Sequence, residues 1–468
     1  MATGLTKHLY CTSVRLSRGV ACALGLVFCV SVQAAETASL TILHNNDGES
    51  QRLNESTAGA AFGGAARFVS AIRTARKVKS DRDILTISSG DNFLASPELN
   101  ATLQSLSDNI PSNDIYFYGR LLDAIAYDAI VLGNHDFDFG PEFLANFIES
   151  LPSVPFLSAN VNFAGEPRLH NLVSTGRIAK SVVVEKGNNR YAIIGVTTEE
   201  LSALSSPGNV AVLNAAAAVV FEIKKLRANA VNKIIVASHL QSVQRDVVLL
   251  EELHRLAQSD PDFEVSEVDL VKDGGGGELL LNDTDALNDA TAANGSYPIQ
   301  MRLAGHTIPI VTTPGSYQYL GVIDVDFDEN GVVTFVGARN DKITMGPGAN
   351  PALIDGGFAN DQTRTTAVLE PVKASIEGLM NHVVSRSEVP LDGRRATIRT
   401  RESNLGNLVA DAFAFAATEQ NPELFGDRPV IALANGGGIR NDSIIPAGEI
   451  SEFHTFEILP FANFLAVF

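Results

Sequence analysis

Residues 128–140 read DAIVLGNHDFDFG, an apolar run that ends in a glycine and is followed by a row of polar side chains. A short apolar run of this kind is typical of a buried β-strand. Asn134, His135 and Asp138 come soon after it. The carboxyl ends of parallel strands meet at one edge of a sheet, where open α/β folds bind their ligands. The stretch therefore predicts an α/β fold with a functional site at the edge of its sheet.

Four further apolar runs end in the same way. LTILH leads to Asp47 and Glu49, DILTISS leads to Asp91, KIIVAS leads to His239, and EVDLV leads to a glycine run that Glu278 closes. A single aspartate after a strand is usually a turn residue or a helix cap. Five strand ends that all carry Asp, Asn, His or Glu predict instead a site for two divalent cations.

Amphipathic, helix-like segments separate these runs. They span residues 63–80, 115–127, 141–151 and 215–231. Alternation of strands and helices predicts an α/β domain with a largely parallel sheet and right-handed crossovers. After Gly305 the sequence changes to a strand-rich meander.

The length of 468 residues is too great for one ordinary core, so we expect two domains. Residues 344–357 are dense in Pro and Gly, which indicates a linker. We place the first domain at 36–345, the linker at 346–364, and a second α/β domain at 365–468. Because the sequence stops in the apolar run FANFLAVF, we expect the second domain to be incomplete.

The first 35 residues are typical of an export signal. Lys7, Arg15 and Arg18 precede the apolar run GVACALGLVFCVSV, and two small residues stand before Glu36. The run is shorter than the roughly 20 residues of a membrane span, although an N-terminal anchor helix is the alternative interpretation. We expect a periplasmic or extracellular protein without a membrane span after cleavage. All three cysteines lie in this segment, so the mature chain would have no disulfide and no Cys-ligated metal.

The formal net charge is −19 and the sequence pI is about 4.9. This negative charge repels nucleic-acid backbones, so a DNA or RNA polymer is not an expected partner. A small anionic substrate remains compatible if a local cation overrides the global field. The sequence gives no indication of oligomeric state.

The motifs resemble two known families in a fixed order. ILHNND, SSGDN, GNHDFDFG and ASHLQ resemble the metal motifs of the calcineurin-like metallophosphoesterases, and RTRESNLGNLVADAF and NGGGIR with LPFAN resemble the C-terminal domain of the 5′-nucleotidases. Together these matches run from about Leu40 to the end. The resemblance implies layered sheets flanked by helices, followed by a substrate-binding domain. It implies an exported phosphoesterase with two metal ions that hydrolyses nucleoside 5′-phosphates.

The resemblance also implies metal ligands. Asp47 would bind one cation, Asp91 would bridge both, and Asn134 and His239 would bind the second. A carboxylate between two cations reduces their repulsion, and the pair promotes attack of water on phosphorus.

His135 and Asp138 would form the catalytic pair in this resemblance. His135 would stabilise charge on the phosphoryl group and the leaving oxygen, and Asp138 would orient it. A carboxylate partner raises the pKa of a histidine, so that it can donate a hydrogen bond near neutral pH.

The chain departs from the family pattern at two motifs. Glu49 stands where the family usually has a histidine, and Gly276 and Glu278 occupy the two histidine positions of a Gly-Gly-His-x-His motif. If Glu49 and Glu278 replace histidines as ligands, the first cation has only oxygen donors, which favours Mn²⁺, Mg²⁺ or Ca²⁺ over Zn²⁺. The competing interpretation is a lost metal and a weakened enzyme. A rival ligand, His306, we interpret as a turn residue.

The C-terminal motifs imply substrate recognition. Arg399, Arg401 and Arg440 are candidate phosphate ligands because guanidinium forks match phosphate oxygens. By position we favour Arg401 and Arg440. Asn435 opens the glycine turn toward the substrate, and Phe461 is placed to stack on a base, although a core role is its ordinary alternative.

Two other functions remain open at this point. One is a general phosphomonoesterase that uses the same metals without base recognition. The other is a non-catalytic exported binding protein on the same fold. The sequence has no G-x-G-x-x-G fingerprint after a strand and no phosphate loop, which argues against an oxidoreductase or a kinase.

Overall fold

The computed structural model describes residues 37–50, 63–101, 117–151, 154–282, 293–342, 369–426 and 428–461. The predicted export signal at 1–35 and the predicted linker at 346–364 lie outside these residues. By its contacts the chain from Glu36 to Phe468 forms one unit.

The strands of the described residues are two to ten residues long. In chain order they are β1 (Ala38–Asn45), β2 (Asp83–Ser88), β3 (Ala129–Val131), β4 (Phe156–Leu157), β5 (Val161–Asn162), β6 (Ile178–Ala179), β7 (Ser181–Lys186), β8 (Asn189–Thr197), β9 (Ala211–Val212), β10 (Ile234–His239), β11 (Leu270–Lys272), β12 (Leu280–Leu281), β13 (Gly295–Ser296), β14 (Ile299–Leu303), β15 (His306–Val311), β16 (Tyr319–Phe327), β17 (Val333–Lys342), β18 (Val383–Ser387), β19 (Leu391–Asp392), β20 (Ile444–Ile445) and β21 (Gly448–Ser451).

The α-helices alternate with the strands in the first part of the chain and dominate the last part. They are α1 (Ala65–Val78), α2 (Phe117–Ile125), α3 (Gly140–Glu149), α4 (Pro167–Ser174), α5 (Leu201–Leu204), α6 (Ala215–Ala228), α7 (Val243–Ala257), α8 (Glu370–Asn381), α9 (Arg395–Ile398), α10 (Asn404–Gln420), α11 (Pro422–Phe425) and α12 (Glu452–Ile458).

Two sheets form the first part of the molecule. One has the strand order β17-β16-β1-β2-β3-β4-β6 and the other has the order β14-β15-β11-β10-β8-β7. The strands β1, β2, β3, β4 and β6 are parallel in the first sheet, as are β8, β10, β11 and β15 in the second. The antiparallel strands lie toward the edges. The predicted α/β fold with layered sheets flanked by helices is therefore confirmed.

Alternation of side chains divides the interior into two apolar layers. Leu40 and Ile42 of β1 belong to a core that includes Ile193 of the second sheet, whereas Leu43 packs in a core with Phe68 of α1. Successive side chains of a strand point to opposite faces, so one face of β1 meets the second sheet and the other meets the helices. This layering leaves the carboxyl ends of both parallel sets free for the site.

The last part of the chain has its own small core. Its buried residues come from β19, α10, β20, β21, α12 and the turn before β20, and they are Leu391, Leu405, Val409, Ile439, Ile445, Ile450 and Ile458. A separate contact joins α8 to the first part, because Val372 and Ile376 pack with Ala101. Among the described residues, no helix has both the length and the apolar character that a membrane crossing requires.

The interpretation of His306 as a turn residue is wrong by one position. Ala304 and Gly305 form the turn, with φ of +49° and +83°, and His306 is the first residue of β15. Its side chain is exposed at the amino end of this strand, while the candidate site lies at the carboxyl ends of the parallel strands.

We predict that Gly195→Ala destabilises the fold, because β8 of one sheet packs closely on β4 of the other there. A Cβ atom at Gly195 would lie 2.4 Å from Cβ of Leu157. Overpacking of this kind costs about 1–3 kcal/mol. The matched control is Gly378→Ala in α8, where a Cβ meets no atom within 4 Å and the helix gains about 0.5–1 kcal/mol. Urea unfolding measures both, and a Gly195→Ala protein as stable as the wild type would contradict this packing.

Candidate active site

Two glycines bring the loops after β2 and β3 into contact. A Cβ atom at Gly90 would lie 2.5 Å from the backbone nitrogen of Gly133, and one at Gly133 would lie 2.2 Å from Oδ1 of Asp91. Gly90 also has a φ of +91°, which glycine adopts without steric cost. The close approach lets the backbone N–H of His135 donate to Oδ1 of Asp91 at 2.7 Å.

Asp136 fastens the same two loops, and sequence analysis assigned it no role. Its buried carboxylate accepts backbone N–H groups from Gly133 at 2.9 Å and from Asp91 and Asn92 at 3.2 Å each. Burial and the neighbouring Asp91 raise the pKa of Asp136 to about 7. Asp136 belongs to the sequence motif GNHD, but only the fold shows that its side chain is buried between the two loops.

Asp47, Asp91 and His239 form a buried group that could hold a metal ion. Each offers one ligand atom, and these atoms all lie within 4.8 Å of one another. His239 Nε2 lies 3.0 Å from Oδ2 of Asp91 and 3.2 Å from Oδ1 of Asn134. The structure thus brings together four of the ligands expected from sequence.

The hydrogen bonds of His239 fit a metal ligand. Its Nδ1–H donates to the backbone carbonyl of Ser89 at 2.5 Å. A histidine held in this way presents the lone pair of Nε2 to a cation. That atom faces the oxygens of Asp91 and Asn134, so the donor set of carboxylates, carboxamide and imidazole suits a divalent cation.

The electrostatics of the group also fit a divalent cation. Burial lowers the pKa of His239, but the carboxylates of Asp91 and Asp47 outweigh burial and raise it to about 10. Burial, and then the charges of Asp47 and Asp91, raise the pKa of Glu49 to about 7. Buried carboxylates at this separation need protons or a cation to offset their repulsion.

The two glutamates that we expect in place of family histidines lie in different places. Glu49 lines the same cleft as Asp47 and Asp91. Glu278 does not join the metal-binding group. Its Oε1 instead accepts the backbone N–H of Val243, at the start of α7, at 3.3 Å. The expected set of Asp47, Glu49, Asp91 and Glu278 is therefore not assembled.

The glycine run explains the position of Glu278. Gly275 and Gly277 have φ of +92° and +73°, so the chain turns sharply. The carboxylate of Glu278 folds back against Gly276, where a Cβ atom would lie 1.7 Å from its Oε2. The backbone of the glycine run contacts the metal-binding group instead, because Gly275 N–H donates to Oδ2 of Asp47 at 2.9 Å. Gly276 lines the cleft without a side chain.

His135 is held by a chain of hydrogen bonds at the mouth of this group. Its Nδ1 lies 2.7 Å from Oδ2 of Asp138, and Oδ1 of Asp138 accepts the hydroxyl of Ser205 at 2.7 Å. Burial lowers the pKa of His135, but the charges of Asp91 and Asp138 and the hydrogen bond to Asp138 outweigh burial and raise it to about 9. The side chain is therefore a hydrogen-bond donor at neutral pH.

Three arginines also line the cleft, which has a volume of about 1170 Å³. They are Arg395, Arg399 and Arg440. The sequence analysis missed Arg395, although its spacing of four from Arg399 places both side chains on one face of a helical turn. Guanidinium groups facing a metal-binding group can hold the oxygens of a phosphate ester between them.

Arg401 does not line the cleft, so the preference for it over Arg399 is wrong. The backbone N–H of Arg401 donates to Thr397, which shows that the helical turn continues past α9. Two residues of an α-helix rotate a side chain by about 200°. Arg401 therefore points away from the face that Arg399 shares with Arg395.

Asn435 and Phe461 also line the cleft. Oδ1 of Asn435 accepts the N–H of Gly437 at 3.1 Å and so closes the glycine turn. The ring of Phe461 stacks on His135, with centroids 6.1 Å apart and planes at 16°, and Cζ of Arg440 lies 5.5 Å from the ring centroid. Phe461 is thus at the site, in contact with the two groups expected to meet phosphate.

The family profile described as "5′-nucleotidase, C-terminal domain" matches residues 383–468. The 5′-nucleotidase of Mus musculus is 29% identical over 425 residues, which cover 87% of this chain and 65% of the mouse protein. The snake venom 5′-nucleotidase of Naja atra is 28% identical over 449 residues, which cover 91% of this chain and 74% of that protein. This chain therefore spans less than two thirds of the mouse protein.

A solved structure shows the same architecture. The 5′-nucleotidase precursor from Thermus thermophilus superimposes with a TM-score of 0.69 at 28% identity, covering 91% of this chain and 74% of the Thermus chain.

We predict that Asp138→Asn lowers the pKa of His135 by about one unit or more, because it removes a charge and a hydrogen bond that favour the imidazolium. An NMR titration of the imidazole in metal-free protein measures this shift. Because the folded pKa of about 9 exceeds the unfolded value, the wild-type contribution to stability is present at low pH and is lost as pH rises through 9. Asp260→Asn at the surface is the control, and an unchanged titration in Asp138→Asn would contradict the geometry.

Proposed function

We propose that this chain, which belongs to the 5′-nucleotidase family, hydrolyses nucleoside 5′-phosphates to the nucleoside and inorganic phosphate. The observation that carries the proposal is the cleft that Asp47, Asp91, Arg399 and Arg440 line together, with His239 buried beside the two carboxylates. A phosphate ester carries two negative charges, which cations and guanidinium groups that line one cleft can bind. The names of the mouse, snake venom and Thermus relatives support the nucleotide as the substrate class.

We propose that two divalent cations complete the site. Asp47 and Glu49 would hold the first, Asn134 and His239 would hold the second, and Asp91 would bind both. Cations held there supply positive charge that polarises a phosphoryl group and promotes the ionisation of water. Because the first position offers carboxylate oxygens, we infer a preference for Mn²⁺, Mg²⁺ or Ca²⁺. Zinc bound stoichiometrically at both positions after purification without chelators would contradict this preference.

The side chains of the other residues bind and orient the ester. His135 donates a hydrogen bond toward the phosphoryl and leaving oxygens, and Asp138 keeps its ring in place. Arg395, Arg399 and Arg440 contact the remaining phosphate oxygens as planar donors.

We propose that the protein acts outside the cytoplasm. Support comes from residues 1–35, whose basic start, short apolar run and small residues before Glu36 are typical of an export signal. In that interpretation the mature chain begins near Glu36.

A general phosphomonoesterase is the second candidate, and Phe461 favours it. The ring of Phe461 already contacts His135 and Arg440, so stacking on a nucleobase competes with these contacts. A site that binds only the phosphate group would not need Phe461 for recognition.

Phosphate release by chelated protein, with Mn²⁺ added back, tests both candidates. We expect AMP to be hydrolysed with a higher kcat/KM than a simple aryl phosphate, and equal values would favour the general phosphomonoesterase. Asp91→Ala should lose bound Mn²⁺ and turnover together, since Asp91 contributes to both proposed cation positions. Asp411→Ala, at an exposed position of α10, is the control. A protein that binds Mn²⁺ yet releases no phosphate from either ester would exclude catalysis and leave the binding protein.

We further predict that Arg399→Ala raises the KM for AMP by about 10- to 100-fold, because a hydrogen bond to a charged group contributes about 1.5–3 kcal/mol. Arg401→Ala removes the same side chain two residues away, from the opposite face of the turn, and should leave KM nearly unchanged. Steady-state kinetics of the two variants side by side decides the point. Equal increases in both would restore Arg401 as a phosphate ligand.

A further inference from the structure

Gln241 has a backbone conformation that is unusual for its residue type. It follows His239 by two residues, and its φ is +79°. This left-handed region favours glycine, because a Cβ atom meets the neighbouring carbonyl there. A side chain is retained in such a conformation only where the surrounding structure compensates for the strain, and such positions cluster at functional sites.

The side chain of Gln241 contacts the metal-binding group through Asn134. Its Nε2 donates to Oδ1 of Asn134 at 2.5 Å. The same Asn134 oxygen lies 3.2 Å from Nε2 of His239. The hydrogen bond from Gln241 thus fixes the rotation of the Asn134 carboxamide and keeps its oxygen on the side of His239.

The glycine run leaves space for this contact. Gly275 and Gly276 line the cleft beside Gln241 and carry no side chains. A Cβ atom at Gly275 would lie 2.9 Å from Nε2 of His239 and 3.0 Å from Cα of Gln241. The backbone N–H of Gln241 also donates to the carbonyl of Gly274 at 3.3 Å. Gln241 therefore connects the glycine run to Asn134.

We propose that Gln241 is a positioning residue of the cation site, which holds the Asn134 oxygen where a cation would bind. The inference rests on the cation site of the proposed function. It explains why a glutamine is retained at a left-handed backbone position. A glycine would fit the turn better, but it has no side chain that could reach Asn134. Gln241 acts through Asn134 and need not touch the substrate.

Two variants separate this role from a structural one. Gln241→Ala and Gln241→Gly both remove the amide, but only the glycine relieves the strained φ. We expect both to bind Mn²⁺ about 10- to 100-fold more weakly than the wild type, the usual loss for a group that orients a ligand. We expect metal-free Gln241→Gly to unfold at a higher urea concentration than Gln241→Ala. Titration calorimetry with Mn²⁺ on chelated protein and urea unfolding give the two readouts.

The matched control is Ala230→Gly, at an exposed position that follows α6. Ala230 has a φ of +56°, so glycine should raise the urea midpoint there without changing Mn²⁺ affinity. At saturating Mn²⁺ both Gln241 variants should regain most of their turnover of AMP.

Wild-type affinity for Mn²⁺ in Gln241→Gly would overturn the inference and leave the proposed function intact. An affinity that follows the urea midpoint, with Gln241→Ala much weaker than Gln241→Gly, would also overturn it, because loop stability would then set the affinity. A wild-type protein that binds no Mn²⁺ would overturn the proposed cation site and this inference together.

Discussion

The buried carboxylate of Asp91 is the constraint on which the site depends. Its Oδ1 accepts the N–H of His135, and its Oδ2 lies 3.0 Å from Nε2 of His239. Burial raises the pKa of Asp91, but the two histidines outweigh burial and lower it below the usual value. A charge kept in a protein interior requires compensating partners. The neighbouring loops supply these partners. The close approach of Gly90 to Gly133 brings the loop of His135 within hydrogen-bonding distance of Asp91.

The backbone around this carboxylate is held in sparsely populated conformations. Asp47, Glu49 and Asp91 all have φ near +50°, which costs free energy that the surrounding structure must offset. Buried acceptors such as Asp136 provide part of this compensation by binding several backbone N–H groups at once. The strained loops and the hydrogen bonds that stabilise them together hold the candidate ligand side chains close to one another.

Short apolar runs in the sequence predicted the strands. The polar side chains that follow five of these runs predicted a shared site, because such a combination is rare by chance. They could not predict the path of the glycine run, since the sign of φ at Gly275 and Gly277 decides where Glu278 points. The preference for Arg401 failed for a related reason. We preferred Arg401 because it lies closest to the motif along the chain. The rotation of the helical turn, however, decides which side chains face the cleft. Helical spacing could have identified Arg395.

The metal-binding group draws its side chains from both sheets, with Asp47 and Asp91 after strands of one and His239 at the end of a strand of the other. An ion held there would join two layers that also meet through apolar contacts and hydrogen bonds such as that from Thr197 Oγ1 to the carbonyl of Leu132, and the unfolded chain has no equivalent site. Resistance to denaturation then depends on the ion supply of the surroundings. At a free concentration 100 times the dissociation constant, the native state gains about 2.7 kcal/mol. An environment rich in divalent ions would protect this fold, and a chelating one would weaken it.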